Sequence, residues 1–382
     1  MSLVRIRPGE PLFLARTCTI DLVSINGESF QALVELTYLG LPTASGDQCK
    51  MYRQMATNLP KRQAANARKS VIRWLLDSDP SIRWQVMRDL IGAPGEEIAA
   101  ERARVATAGA GARLLALQGD DGRWGGAAWN RGWDSTMHVL MLLRDMGLDP
   151  ASDQARRAVD RVRDRVTWNG CGPRECEGNA FFQGEVEPCI NGQVAAVGAY
   201  FGHDVRGLVD RLLAEQLPDG GWNCEAANGS MRSSFNTTIC VLEALLEYER
   251  AVGSNQEVIG ARLRGQEYLL ERHLFRRRST GEVIERDRKG RTAWTSFAFP
   301  TWWHYDLLRG LEYLRDAGAA PDKRVAEAIE LVVSKREVDG RWLLDTRYPG
   351  VMPVDMDEGQ GRPSRWNTLR ALRVLDWSSA AN

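Results

Sequence analysis

Residues 133–166, WDSTMHVLMLLRDMGLDPASDQARRAVDRVRDRV, place two helices of opposite character on either side of a Gly147–Asp149 turn. The first, 133–146, is apolar nearly all round, the pattern of a helix buried on two sides. The second, 153–166, carries Ala155, Ala158, Val159, Val162 and Val166 on one narrow stripe, with Arg and Asp at most other positions. That i, i+3, i+4, i+7 spacing gives a helix with one face in the core and one in water.

The alternation runs along the chain. Single-striped helices recur over 203–217 (Val205, Leu208, Val209, Leu212, Leu213) and 321–336 (Val325, Ala328, Ile329, Val332, Val333). Doubly buried ones recur as INGQVAAVGAYF over 190–201 and FNTTICVLEALLEY over 235–248. In full, outer segments near 66–77, 97–118, 151–166, 203–217, 255–273 and 321–336 are each followed by an inner one. The inner segments lie near 80–91, 133–146, 189–201, 234–249, 301–317 and 364–377. An open solenoid alternates faces too, but it does not bury a whole layer on both sides. A closed ring does, so the expected fold is all-α, an (α/α)6 toroid over 62–382.

A repeat supports the ring. Gln118-x3-Gly122-x-Trp124 returns as Gln216-x3-Gly220-x-Trp222, and with the first residue changed as Arg336-x3-Gly340-x-Trp342. Each copy ends an outer helix in an Asp-Gly turn, where glycine accepts positive φ cheaply. These repeats, with GRWGGAAWNRGWDSTMHVLMLLRDMGL at 122–148, resemble the squalene–hopene cyclase, terpenoid cyclase and protein prenyltransferase β-subunit superfamily. The resemblance covers roughly residues 95–378. It implies one α/α barrel, as in a prenyltransferase β-subunit, where squalene cyclases have two. Residues 79–90 (DPSIRWQVMRDL) also look like a single HEAT-repeat helix.

Composition narrows the function classes. Fifty basic and 50 acidic residues cancel, so no whole-chain field recruits nucleic acid. Peripheral contact with a membrane surface stays open. No stretch approaches the ~20 apolar residues of a membrane-spanning helix. The start has no run long enough for a secretory signal, and seven scattered cysteines suggest reduced thiols in a cytoplasm. Residues 1–61 differ from the rest, with short β-branched runs around Asn26-Gly27, and read as a small appendage, either short strands or disorder.

In a toroid the amino ends of the inner helices and the loops before them meet at a common rim, where helix dipoles favour carboxylates, thiolates and anionic ligands. Thirteen tryptophans are many, and Trp129, Trp133, Trp302, Trp303 and Trp366 reach that rim together with Asn236. Indole faces stabilise cations by about 0.5–2 kcal/mol each, which suits a cavity for an isoprenoid chain or a carbocation. Any one of these rings can equally wedge two hairpins together.

Two constellations bear chemistry by resemblance. Asp355-Met356-Asp357-Glu358 resembles the D-x-D-D acid of class II terpene cyclases, in which crowding keeps one carboxyl protonated. It departs from that pattern with Glu at the last position, and it lies well before the helix at Arg365. A solvated acidic loop is the other reading. Asp134 stands where cyclase repeats carry Asp, or serves as a helix N-cap. Trp302-Trp303-His304-Tyr305 resembles the region of the zinc-ligating His in prenyltransferase β-subunits, although the matching Asp-x-Cys is missing. Cys189 and Cys224 could stand in as thiolate ligands beside His304, giving an open three-ligand zinc centre. Cys171 and Cys176 are further thiols in the long 167–188 loop, and buried free thiols are the alternative. His138, deep in an apolar helix, reads as a core histidine.

The favoured function is therefore a terpenoid-cyclase-like protein that takes an isoprenoid or other apolar small molecule into an aromatic-lined cavity, with no cofactor required. The alternatives are a zinc-dependent prenyltransferase-like enzyme and a non-catalytic binding module. Substrate and partner subunit are not legible.

Overall fold

A computed structural model describes residues 66–169, 176–285, 293–356 and 359–380. Contacts divide the chain at Arg68/Lys69, and the expected appendage over 1–61 lies outside the described residues. The fold is all-α, with isolated bridges and no extended strand among the described residues.

The outer helices are α1 (66–76), α3 (Gly95–Ala103) with α4 (Gly109–Ala116), α6 (Asp153–Arg165), α8 (Arg206–Ala214), α10 (Gln256–Leu270) and α12 (Ala326–Ser334). The inner ones are α2 (Pro80–Val86), α5 (Thr136–Asp145), α7 (Pro188–Tyr200), α9 (Phe235–Val252), α11 (Leu307–Asp316) and α13 (Arg365–Ser379). α6 buries Ala155, Ala158, Val159 and Val162, the stripe read from sequence. α7 buries every residue from Pro188 to Ala199. Contacts run α5–α7–α9–α11–α13–α2. The Trp84 indole and the Gln85 amide then donate to the Met146 and Asp145 carbonyls at the end of α5, which closes the order on itself.

Two expectations are corrected. Segment 97–118 is not one helix: it breaks around Thr107–Ala108, and a Cβ at Gly109 (φ +67°) would meet the Asp79 carboxylate that caps Ala110. Trp302–Tyr305 do not open an inner helix. They form the approach to α11, with Trp302 at φ +53° and Asp306 as the N-cap that accepts from the Arg309 amide at 2.7 Å.

The three repeats do identical work. The indoles of Trp124, Trp222 and Trp342 donate back to the Leu114, Leu212 and Val332 carbonyls. Their backbone amides donate to Thr136, Thr238 and Thr368 on the following inner helices. Gln118 and Gln216 reach across to Ala158 and Ala261 carbonyls on the next outer helices, 2.8 Å in each case. A Cβ on Gly122 or Gly220 would stand 2.7 Å from the Arg161 or Arg264 carbonyl, so only glycine lets those neighbours approach. At the third copy the neighbour is α1, where the Arg341 guanidinium lies 4.2 Å over the Trp74 ring.

Candidate functional site

Among the described residues the amino-end rim is closely packed. Trp133 and Trp302 stack 5.0 Å apart, and His138 meets both edge-on at 5.1 and 5.2 Å. All three are buried. His304 lies face to face with Trp303 on one side and Tyr348 on the other, at 3.7 and 3.6 Å. Trp129 borders the cluster, 6.4 Å from His138. Flat apolar rings that can reach one another exclude water best by stacking, so these residues form a plug, beside which Trp302 and Tyr348 border only a pocket of about 20 Å3. The Asn236 carbonyl oxygen accepts from the Tyr305 amide at 2.8 Å, which pins the same loop.

His138 is the core histidine the sequence suggested. Its Nδ1 pairs with Ser135 Oγ at 2.8 Å, while Nε2 has no hydrogen-bond partner among the described residues. Burial drives its pKa down to about 3, so the ring is neutral. Asp134 is not the cap of α5: Ser135 takes that position, and Asp134 accepts from the Asn130 amide at 2.8 Å.

The open space lies elsewhere. A cavity of about 770 Å3 occupies the carboxyl-terminal side of the inner helices, lined by Asp145 and Arg144 closing α5, Tyr200 closing α7, Arg250 of α9, Asp316 closing α11 and Trp377 of α13. Eight arginines and seven carboxylates line it, together with six aromatic rings. The expectation of a cavity opening at the amino-end rim is thereby corrected. Of the six residues expected to bind substrate, Trp366 lies on its wall, stacked on Phe299 at 4.2 Å. The charge has a physical cause. A helix buried on two sides has no water to offer a charged side chain except along the axis, so charges there turn inward and pair.

The pairs form a network. Arg309, 5% exposed, bonds both oxygens of Glu243 at 2.6 and 2.8 Å and donates to the Trp302 and His304 carbonyls. Arg370 bonds Glu312 and the Ala298 carbonyl. Arg373 reaches Asp89 at 2.5 Å and Gln85 at 2.6 Å. Arg144 holds Asp145 at 2.8 Å and lies 3.6 Å from Glu243. At the carboxyl ends of α5 and α7, Arg102 donates to neutral oxygens, the Gly147 carbonyl and the Tyr200 hydroxyl.

The two carboxylates around Arg144 diverge. Burial raises the pKa of Asp145, with Glu243 adding to the rise against Arg144. Burial also acts to raise Glu243, but Arg309, Arg144 and Arg370 together hold it below the ordinary value. Neighbouring acids pushed in opposite directions are how one site holds a proton donor beside a fixed negative charge.

The remaining expected residues scatter. Asp355 is exposed and borders a small pocket with Trp302 and Tyr348, of about 20 Å3. Asp357 and Glu358 lie outside the described residues, as does Cys171. Cys176 is disulfide-bonded, a correction to the expectation of reduced thiols throughout, and it is not available as a ligand. Cys189 and Cys224 do come together. Their third neighbour is Glu187, the three ligand atoms lying within 4.8 Å of one another, and His304 is not in that group. Two thiols and a carboxylate suit zinc as a donor set.

Sequence reasoning missed Arg144, Asp145, Glu243 and Arg309. Their signal was present as isolated charges inside the apolar runs LMLLRDM, VLEALLEY and LLRGLEYL.

No family model matches the sequence, and no curated protein matches it. Solved structures similar to the chain include the type II terpene cyclase MstE from Scytonema, apo, with TM-score 0.42 and 19% identity over 84% of this chain and 98% of that one. A variant of it in complex with the substrate geranylgeranyl dihydroxybenzoate gives TM-score 0.44 and 18% identity over 84% and 99%. Another, in complex with the product merosterolic acid A, gives 0.43 and 17% over 84% and 98%.

Proposed function

We propose that the chain is a terpenoid-cyclase-like enzyme that performs acid-initiated chemistry in the charged cavity, on a prenyl-bearing small molecule with an anionic head. The observation that carries this reading is the Asp145–Arg144–Glu243 group on the wall of a cavity of about 770 Å3, a volume within the usual range for small-molecule sites. Asp145 supplies the proton. Its side chain keeps 29% exposure, and burial raises its pKa above that of an ordinary aspartate, which makes it the readier proton donor of the two acids. Glu243 stays ionised and faces the positive charge that protonation of an alkene creates. Phe299 and Trp366 offer ring faces to the same cation. Arg102 and Arg250, at the carboxyl-end side of the cavity, hold the anionic head. A bare hydrocarbon fits this lining poorly, because it would displace water from paired charged groups and offer them no polar contact in return. The acid is thus moved from Asp355, Asp357 and Glu358 to Asp145.

The test is incubation with geranylgeranyl diphosphate, a geranylgeranylated aromatic acid and squalene, followed by mass spectrometry of cyclised product. Turnover is expected for one of the two anionic compounds and not for squalene. Asp145→Asn should lower it by roughly 10²–10⁴-fold with binding retained. Unchanged turnover in that variant removes the acid assignment, and conversion of squalene in preference to both anionic compounds removes the head-group reading.

A further inference from the structure

We propose that Glu187, Cys189 and Cys224 form a site for a thiophilic divalent cation, zinc above all, where the start of α7 meets the turn that follows Trp222. Their ligand atoms all lie within 4.8 Å of one another, with Cys189 Sγ 3.8 Å from Glu187 Oε2. Tetrahedral zinc with sulfur and oxygen ligands needs separations of roughly 3.3–3.8 Å, so side-chain rotation without backbone movement completes the triangle.

The backbone on both sides is already fixed. Glu187 is the N-cap of α7 and Cys189 its second residue, and the Glu187 amide donates to the Glu185 carboxylate at 2.5 Å. Cys224 opens the short turn Cys224–Asn228 two residues after the buried Trp222, and its amide and thiol both stand 3.4 Å from Thr237 Oγ1 on α9. Sequence separation between the two halves is large, yet the Trp222 repeat and the start of α7 bring them face to face.

The donor chemistry selects the ion. Thiolates favour zinc over magnesium or calcium, which prefer oxygen-only sets. Three protein ligands leave one tetrahedral position open, and Glu187 and Cys224 are half-buried while Cys189 is buried, so an ion can enter from that side. A third thiol, Cys240, is fully buried and committed to Gln193, which donates to it at 3.2 Å. It stands outside the ligand group. The proposal does not depend on the charged cavity, whose lining shares no residue with it.

Reduced full-length protein titrated with Co2+ should show thiolate-to-cobalt charge-transfer absorption that saturates at one equivalent and is displaced by Zn2+. Cys189→Ser and Cys224→Ser should each abolish it. Glu187→Gln should weaken binding by about tenfold or more, and Cys240→Ser should leave it intact. Circular dichroism of each variant separates loss of ligand from loss of fold, and the half-buried position of Glu187 keeps that near-isosteric variant informative should a cysteine variant misfold. Reduced wild-type protein that holds neither ion, or cobalt binding that persists in Cys189→Ser and Cys224→Ser, overturns the proposal.

Discussion

The indoles of Trp133 and Trp302 stack with their planes within 9° of parallel and centroids 5.0 Å apart, although 169 positions separate them in the chain. Trp133 precedes α5 and Trp302 precedes α11, so the stack joins two loops from different sectors of the ring. Trp133 also donates through its indole N–H to the Pro349 carbonyl at 3.0 Å, which ties in a third loop. Among the described residues this meeting of loops fills the amino end, and the larger cavity extends from Phe299 and Trp366 toward the carboxyl ends of the inner helices.

Removing one ring should therefore destabilise the whole domain. Trp302→Ala is expected to cost about 3–5 kcal/mol, read as a lowered denaturant midpoint with unchanged helical content in the native baseline. A midpoint within experimental error of wild type would show that the stack is not part of the core.

His138 gives the plug a pH signature. Its folded pKa of about 3 lies below the unfolded value of 6.5. The unfolded chain then takes up a proton that the folded chain refuses, so stability from this group is complete above pH 6.5 and falls as pH drops toward 3. The slope is at most about 1.4 kcal/mol per pH unit. His138→Phe keeps a ring in place and removes the proton, and should shift acid unfolding to lower pH. The same acid midpoint in both proteins would contradict the assignment.

Arg309 is buried and Glu243 mostly so, and the guanidinium is shared with two backbone carbonyls. Glu243→Gln leaves the guanidinium uncompensated and should cost about 3–5 kcal/mol. The double change Glu243→Leu with Arg309→Met should cost less than the two single changes added together. Strict additivity in a double-mutant cycle would mean that the pair does not interact.

Gln216 ties the end of α8 to α10 through the Gly220 and Ala261 carbonyls. Gln216→Ala removes both hydrogen bonds and should cost about 1–2 kcal/mol. At the third repeat, where Arg336 already replaces glutamine and its guanidinium sits 5.6 Å from the Trp342 ring, substitution to alanine should cost clearly less. Thermal melts of the two variants side by side decide it.

The helical layers were legible because each helix carries its burial in its own periodicity. α6 shows one apolar stripe and α7 none that is polar, and those patterns need no knowledge of neighbours. The Gln-x3-Gly-x-Trp copies were equally local, each being a turn plus an indole that returns to its own helix. Sequence also marked Cys189, Cys224 and the tryptophans as unusual. What it left open was which side of the ring holds the space. That depends on whether rings 169 residues apart can reach each other, as Trp133 and Trp302 do, and on where a charge such as Glu243 turns when both flanks of its helix are covered. Periodicity records how much of a helix is buried, whereas the partner against which it is buried is a property of distance in three dimensions. The same reason put Glu187 beside the two thiols and left His304 between Trp303 and Tyr348.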